Sequence, residues 1–173
     1  MSAALLLTPF LLIRFGLLAV LGKGALKRAA YFAPMQGREK IEYWVYQILN
    51  VLIFVYLFSH KIKTAPAPVF YGGIILYIAG MILLILSVLG FAAVSENCMN
   101  KSGIYKISRN PMYLSYYIFF VGCAFLTQSG VLFSLVQVFQ ISTHTIILAE
   151  ERWCIEQFGE EYLQYMSKVR RYI

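Results

Sequence analysis

Five apolar stretches, residues 3–21, 41–58, 69–94, 112–127 and 131–149, occupy most of this chain. A helix needs about 20 mostly apolar residues to cross a hydrocarbon core roughly 30 Å thick. Backbone polar groups in lipid must be satisfied internally, so such stretches become helices. The sequence therefore predicts an all-α, polytopic transmembrane bundle of about five spans, folded as a single domain over 1–173. The fourth stretch is short. The sequence Thr127-Gln128-Ser129-Gly130 reads as a tight turn, making the last two spans a C-terminal helical hairpin. Charged residues make up 13% of the chain, against about 25% in a soluble domain, so lipid is the solvent for most of it. The first stretch is long for a signal-peptide core and has no basic flank before it, so it reads as a retained span.

A net charge of +7 does not imply nucleic acid here, because the basic residues lie in short runs between apolar segments. That pattern orients a membrane protein. Lys23, Lys27, Arg28, Arg38 and Lys40 put the first connection in the cytosol. Lys101, Lys106 and Arg109 do the same for residues 95–109, and Lys168, Arg170 and Arg171 for the tail from Glu150 onward. The N-terminus and residues 61–68 are then outside. Cys98, Cys123 and Cys154 have no metal-ligand spacing and read as reduced thiols, with no metal expected.

Within the spans, Gly73, Gly80 and Ser87 recur at seven-residue spacing. Small residues on one face let helices approach closely in lipid, so this third span is expected to be central. Arg14 is the one charge inside the first span, near enough to its cytosolic end to snorkel or to meet a carboxylate. Glu42, beside Tyr43 and Trp44, reads as an interfacial helix start.

Two polar stretches carry more specific residues than a loop needs. The first runs from Ser102 to Tyr113. Pro111 suits the first turn of a helix, Asn110 is a good N-cap, and Arg109 with the free N–H groups makes the helix start receptive to a carboxylate or phosphate. A capped helix beside a membrane-surface arginine fits the same residues. The second stretch follows Ala149, where Glu150 and Glu151 sit at the membrane boundary and call for a cationic partner. From Ile155 to Val169 an amphipathic helical pattern follows, interrupted at Gly159. An arginine at a helix start and a carboxylate pair at one face suit a zwitterion, such as an α-amino acid headgroup.

Gly103-Ile-Tyr-Lys-Ile-Ser-Arg-Asn-Pro-Met-Tyr113, then Glu150-Glu151, then Phe158-Gly-Glu-Glu-Tyr-Leu-Gln-Tyr165 and Val169-Arg-Arg171 together resemble the isoprenylcysteine carboxyl methyltransferase family. The phospholipid N-methyltransferases share much of this pattern. The resemblance covers the chain from about Gly90 onward. It implies S-adenosylmethionine as methyl donor, bound on the cytosolic side, and a lipophilic acceptor entering from the bilayer. Donor contacts are implied at Asn97, Cys98, Met99, Asn100, Tyr105, Arg109, Asn110, Pro111, Met112, Tyr113, Glu150 and Glu151, with Arg109 and Glu150 in the catalytic role. The family usually has Arg-His-Pro where Arg109-Asn110-Pro111 stands, and often His at the position of Asn97. The carboxyl-methylating branch has a substrate arginine near Ile146, which this chain lacks; His144 is the nearest polar substitute. The resemblance thus leads to carboxyl methylation of an isoprenylcysteine, with phospholipid N-methylation or small-thiol or amine methylation as alternatives. An NADPH-dependent sterol-type reductase and a non-catalytic membrane scaffold are the rival classes.

Overall fold

A computed structural model describes residues 1–21, 24–94 and 99–173. Helix α1 (Ala3–Leu21) is irregular: a 3₁₀ turn (Ala3–Leu6) leads through α-helix (Leu7–Leu11) into a π-helical stretch (Leu12–Leu17) before α-geometry resumes. Pro9 lies at the start of this change and lacks the N–H that a regular ladder needs. After the short α2 (Ala25–Ala29), an irregular segment leads to α3 (Glu39–Ser59) and α4 (Ala67–Ala92). A 3₁₀ turn (Gly103–Lys106) precedes α5 (Pro111–Thr127), α6 (Gly130–Phe158) and α7 (Glu160–Lys168). Helices α1, α3, α4 and α6 are long and apolar enough to cross a membrane, and α5 is a shorter apolar helix. The protein is thus a multi-pass membrane helix bundle, with no strand among the described residues.

The Gly73, Gly80 and Ser87 stripe on α4 is buried, as its spacing predicts, and its two glycines pack on α5. A Cβ at Gly80 would lie 2.6 Å from the Phe119 nitrogen, and one at Gly122 would lie 2.5 Å from the Tyr77 nitrogen. Backbone meets backbone there, so neither helix can yield by turning a side chain. Gly122→Ala is expected to cost about 1–3 kcal/mol, seen as a lower unfolding temperature in detergent. Gly130→Ala, which points into open space, should leave that temperature unchanged.

The expectation that α4 is central needs correction. Its other face is open, with Ile75, Ile78 and Ile82 exposed. The centre is α5, whose Phe119, Phe120 and Cys123 are fully buried. Phe10 of α1 stacks on Phe119 with ring centroids 4.6 Å apart, and Phe139 of α6 meets Phe120 edge-on at 5.8 Å. A helix enclosed by protein needs no full bilayer's length of lipid-facing residues, which accounts for its short apolar run.

A second correction concerns the fifth span. It was expected to end at Ala149, but α6 runs on to Phe158 and stops at Gly159, whose φ is +53°. Glu150 and Glu151 therefore stand on a continuous helix rather than at the start of a tail. Beyond the break, α7 buries Tyr162 and Tyr165 and exposes Glu160 and Glu161.

The two ends of the bundle differ. At one end the N-terminus pairs with the α3–α4 connection (Ala3 N–H to His60 O, 2.9 Å; Ile62 N–H to Met1 O, 3.0 Å), and Lys63 N–H reaches Leu126 O at 2.9 Å. At the other end lie α2, the approach to α5 and the chain's tail, joined where Arg109 N–H meets Arg170 O at 3.0 Å. The polar chemistry is at this second end.

Candidate functional site

A cavity of about 570 Å³ opens at that end, between α1, α2, the approach to α5, and the α6–α7 junction. Small-molecule sites fall in the ~300–1,000 Å³ range. Its lining includes Met99, Asn100, Tyr105, Arg109, Asn110, Pro111, Met112, Tyr113, Glu150 and Glu151. Residues 37 positions apart and more are thus brought together, as the two polar stretches suggested. Asn97 and Cys98 lie outside the described residues. His144 is not part of the lining; its Nδ1 is 2.8 Å from the Tyr172 hydroxyl, which holds it against the tail.

Close backbone approach sets the wall beneath Tyr105. Asn100 Nδ2 donates to Gly90 O at 2.7 Å, and a Cβ at Gly90 would come within 3.1 Å of that nitrogen and 3.2 Å of the Tyr105 ring. The Tyr165 hydroxyl donates to Tyr105 O at 2.6 Å. Burial pushes the Tyr165 phenol up to about 12, although Arg109 opposes the shift, so it remains a donor at neutral pH.

Asn110 does not cap α5 as expected. Its Nδ2 donates to Arg171 O at 3.3 Å, and its backbone N–H goes to Ser108 Oγ at 3.2 Å. A carbonyl from the tail holds the amide N–H, and the side-chain oxygen makes no cap hydrogen bond to the helix start. Pro111 and the first-turn residues Met112 and Tyr113 then face the cavity without a side-chain cap. Such a helix start favours an anion.

The adjacent carboxylates have different surroundings. Glu151 is enclosed by two arginines: Arg109 Nη2 lies 3.0 Å from Oε1, and Arg171 Nη2 lies 2.8 Å from Oε2. Arg171 Nε also donates to both oxygens at 3.1 Å. These bonds hold the Arg171 guanidinium above its usual range. The side chains of Glu151 and Arg109 are 5% and 7% exposed, so this pair is a buried ion pair, which the partly exposed Arg171 (31%) extends to a triad. Glu150, one residue earlier and about 100° around the helix, accepts one side-chain hydrogen bond among the described residues. The Tyr113 hydroxyl donates to its Oε1 at 2.6 Å. The arrangement therefore separates the expected roles. Arg109 already has an anionic partner, Glu151 has two cationic ones, and Glu150 keeps an oxygen for a ligand.

Sequence reasoning missed much of the opposite wall. Arg28, Tyr31 and Phe32 come from α2 and the irregular segment after it, Tyr46 from α3 and Phe91 from α4. No periodicity marks a loop that folds over a cavity. Arg14 was marked as an unusual charge, and it does line the cavity, with Nη2 donating to Ala29 O at 2.6 Å.

The sequence profile described as phospholipid methyltransferase matches residues 69–161, more than half of the chain. Methanethiol S-methyltransferase 1 of Bradyrhizobium diazoefficiens is 25% identical over 136 residues, which are 73% of this chain and 47% of that protein. The chain thus spans about half the length of the curated relative it matches.

Proposed function

Because the chain belongs to the phospholipid methyltransferase family, we propose that it is a membrane methyltransferase using S-adenosylmethionine on a lipophilic acceptor. Its acceptor atom is an amine nitrogen, as in phospholipid N-methylation. The family match favours this over the carboxyl methylation first expected. A thiol acceptor is the second reading, favoured by the relative named for methanethiol. The observation that carries the proposal is the convergence of the open start of α5, Tyr105 and Glu150 on one cavity.

The donor set fits a methionyl zwitterion attached to a nucleoside. The α5 start offers N–H groups to its carboxylate, and Glu150 offers an oxygen to its ammonium or ribose hydroxyls. Tyr105 and Tyr113 supply aromatic walls. When bound, the donor provides a methyl group on a sulfonium, whose transfer neutralises the donor's charge. The protein's own contribution is alignment and exclusion of water. Tyr46, Phe32 and Phe91 give the cavity apolar cover, and holding two reactants in line supplies up to ~7–11 kcal/mol of the barrier. A thiolate acceptor needs no base, whereas an amine must shed a proton.

We also place the cavity end in the cytosol. Arg38, Lys101, Lys106 and Lys168 accompany it, while Lys61 and Lys63 are at the other end. Calorimetry of the purified protein with S-adenosylhomocysteine and with NADPH tests the donor assignment. Binding of the first and not the second is expected. Binding of NADPH alone would move the protein to the reductases, and binding of neither would favour a scaffold. Transfer of radiolabelled methyl to phosphatidylethanolamine, a prenylcysteine or a small thiol then identifies the acceptor.

A further inference from the structure

Two half-buried arginines in the cavity have guanidinium groups whose hydrogen bonding is incomplete among the described residues. Arg14 Nη1 and Arg28 Nε are both buried without a hydrogen-bond partner among the described residues. Neither side chain forms an ion pair among the described residues. Both line the same cavity. They are also positioned together, because Arg14 Nη2 is fixed to the carbonyl of Ala29, the residue after Arg28. Aromatic faces hold both heads: Arg14 lies 5.9 Å from the Tyr116 ring centroid and Arg28 lies 5.2 Å from that of Phe91. An aromatic face supports a cation but does not neutralise it. Glu150 feels the Arg14 charge, yet neither guanidinium has an ion-pair partner among the described residues, and two such charges on one wall favour an added anion.

The methyl donor does not provide that anion. Its sulfonium, ammonium and carboxylate sum to one positive charge, and its carboxylate is provided for at the α5 start. Glu150 is the cavity carboxylate left over once Arg109 and Arg171 have taken Glu151. Loading the donor therefore makes the cavity more positive.

We propose that Arg14 and Arg28 form an anion subsite, separate from the donor's place, that takes the phosphate of an amphiphilic acceptor. The inference rests on the reading that the donor occupies the rest of this cavity. Arginine suits phosphate because its planar N–H fork can engage two oxygens at once. A phosphate held here leaves the apolar part of the acceptor among Phe32, Tyr46 and Phe91.

The test uses the full chain in neutral detergent, titrated with short-chain phosphatidic acid, the matching diacylglycerol and inorganic phosphate, each with and without S-adenosylhomocysteine. Phosphatidic acid is expected to bind the wild type at least about tenfold more tightly than diacylglycerol. Arg14→Gln and Arg28→Gln should each remove about tenfold of that affinity, while S-adenosylhomocysteine affinity changes by less than about threefold. Equal binding of phosphatidic acid and diacylglycerol to the wild type overturns the subsite whether or not the variants fold. Inorganic phosphate binding as tightly as phosphatidic acid overturns the amphiphile assignment. Variants that lose S-adenosylhomocysteine instead show that these arginines hold the donor, and the proposal falls while the methyltransferase reading stands. If the wild type does not bind S-adenosylhomocysteine, the donor reading fails; the titrations made without it still decide the anion subsite.

Discussion

Glu151→Ala is expected to destabilise the protein by about 3–5 kcal/mol, the cost of removing one member of a buried ionic group. Both arginines lose their anion at once, and the Arg109 side chain has only 7% of its surface in solvent with which to compensate. The consequence extends beyond the triad. Arg171 is the tail's anchor, and its carbonyl accepts from Ser108 Oγ and Asn110 Nδ2, both at 3.3 Å. Freeing the tail therefore loosens the approach to α5. The measurement is thermal unfolding in detergent, where the transition should fall by roughly 6–20 °C. Replacing the group as a whole (Glu151→Leu with Arg109→Met and Arg171→Met) should recover most of the loss, because a buried ionic group exchanged for apolar residues is often neutral or better. A single Glu151→Ala variant as stable as the wild type would show that the triad contributes little.

The contrast between these two carboxylates shows where a sequence stops being informative. Both are visible as acidic residues at the end of a span, and nothing local separates them. Their fates diverge because a helix turns about 100° per residue, and because Glu151 meets an arginine 20 positions later that the break at Gly159 allows to return. Asn110 gives the same lesson from the other side. Its place before Pro111 makes it a good N-cap by every local criterion, yet the Arg171 carbonyl, 61 residues away, takes its amide. Capping preferences are local, and a distant carbonyl that binds the amide N–H can orient the side chain away from the cap.

What the sequence did convey was governed by the solvent. Lipid enforces helices, so the helix-rich bundle and its approximate limits followed from apolar length. The stripe at Gly73 and Gly80 also followed, because close backbone approach leaves no alternative to small residues. The rank of the helices did not follow, since hydropathy does not separate a surface facing lipid from one facing protein. That is why α4 seemed central and α5 seemed short. Arg14 stood out because a charge within an apolar span is costly. Its companion Arg28 did not, because in a basic connection it resembled every other orienting charge.

Glu150→Ala should leave the fold intact and remove the ligand. No ion pair involving this side chain exists among the described residues, and the bond it makes, from the Tyr113 hydroxyl, is to a neutral group. Its loss therefore breaks no ion pair among the described residues, unlike the loss of Glu151, and leaves only the Tyr113 hydroxyl without its partner and the nearby Arg14 without an offsetting carboxylate. A cationic donor group held there would lose its counter-charge, and truncating one partner of a buried charged pair costs about 2–5 kcal/mol. That predicts S-adenosylhomocysteine binding weakened about 30-fold or more, with an unfolding temperature close to wild type. Glu150→Gln separates charge from shape: it still accepts from Tyr113, so it should retain the cavity's form and lose nearly as much affinity. Affinity retained by the glutamine variant but lost by alanine would mean that Glu150 acts by positioning Tyr113. Affinity retained by both would place the donor's cationic end elsewhere in the cavity. Because Glu151 is one residue away and already engaged, it cannot substitute for Glu150 without giving up Arg109 and Arg171.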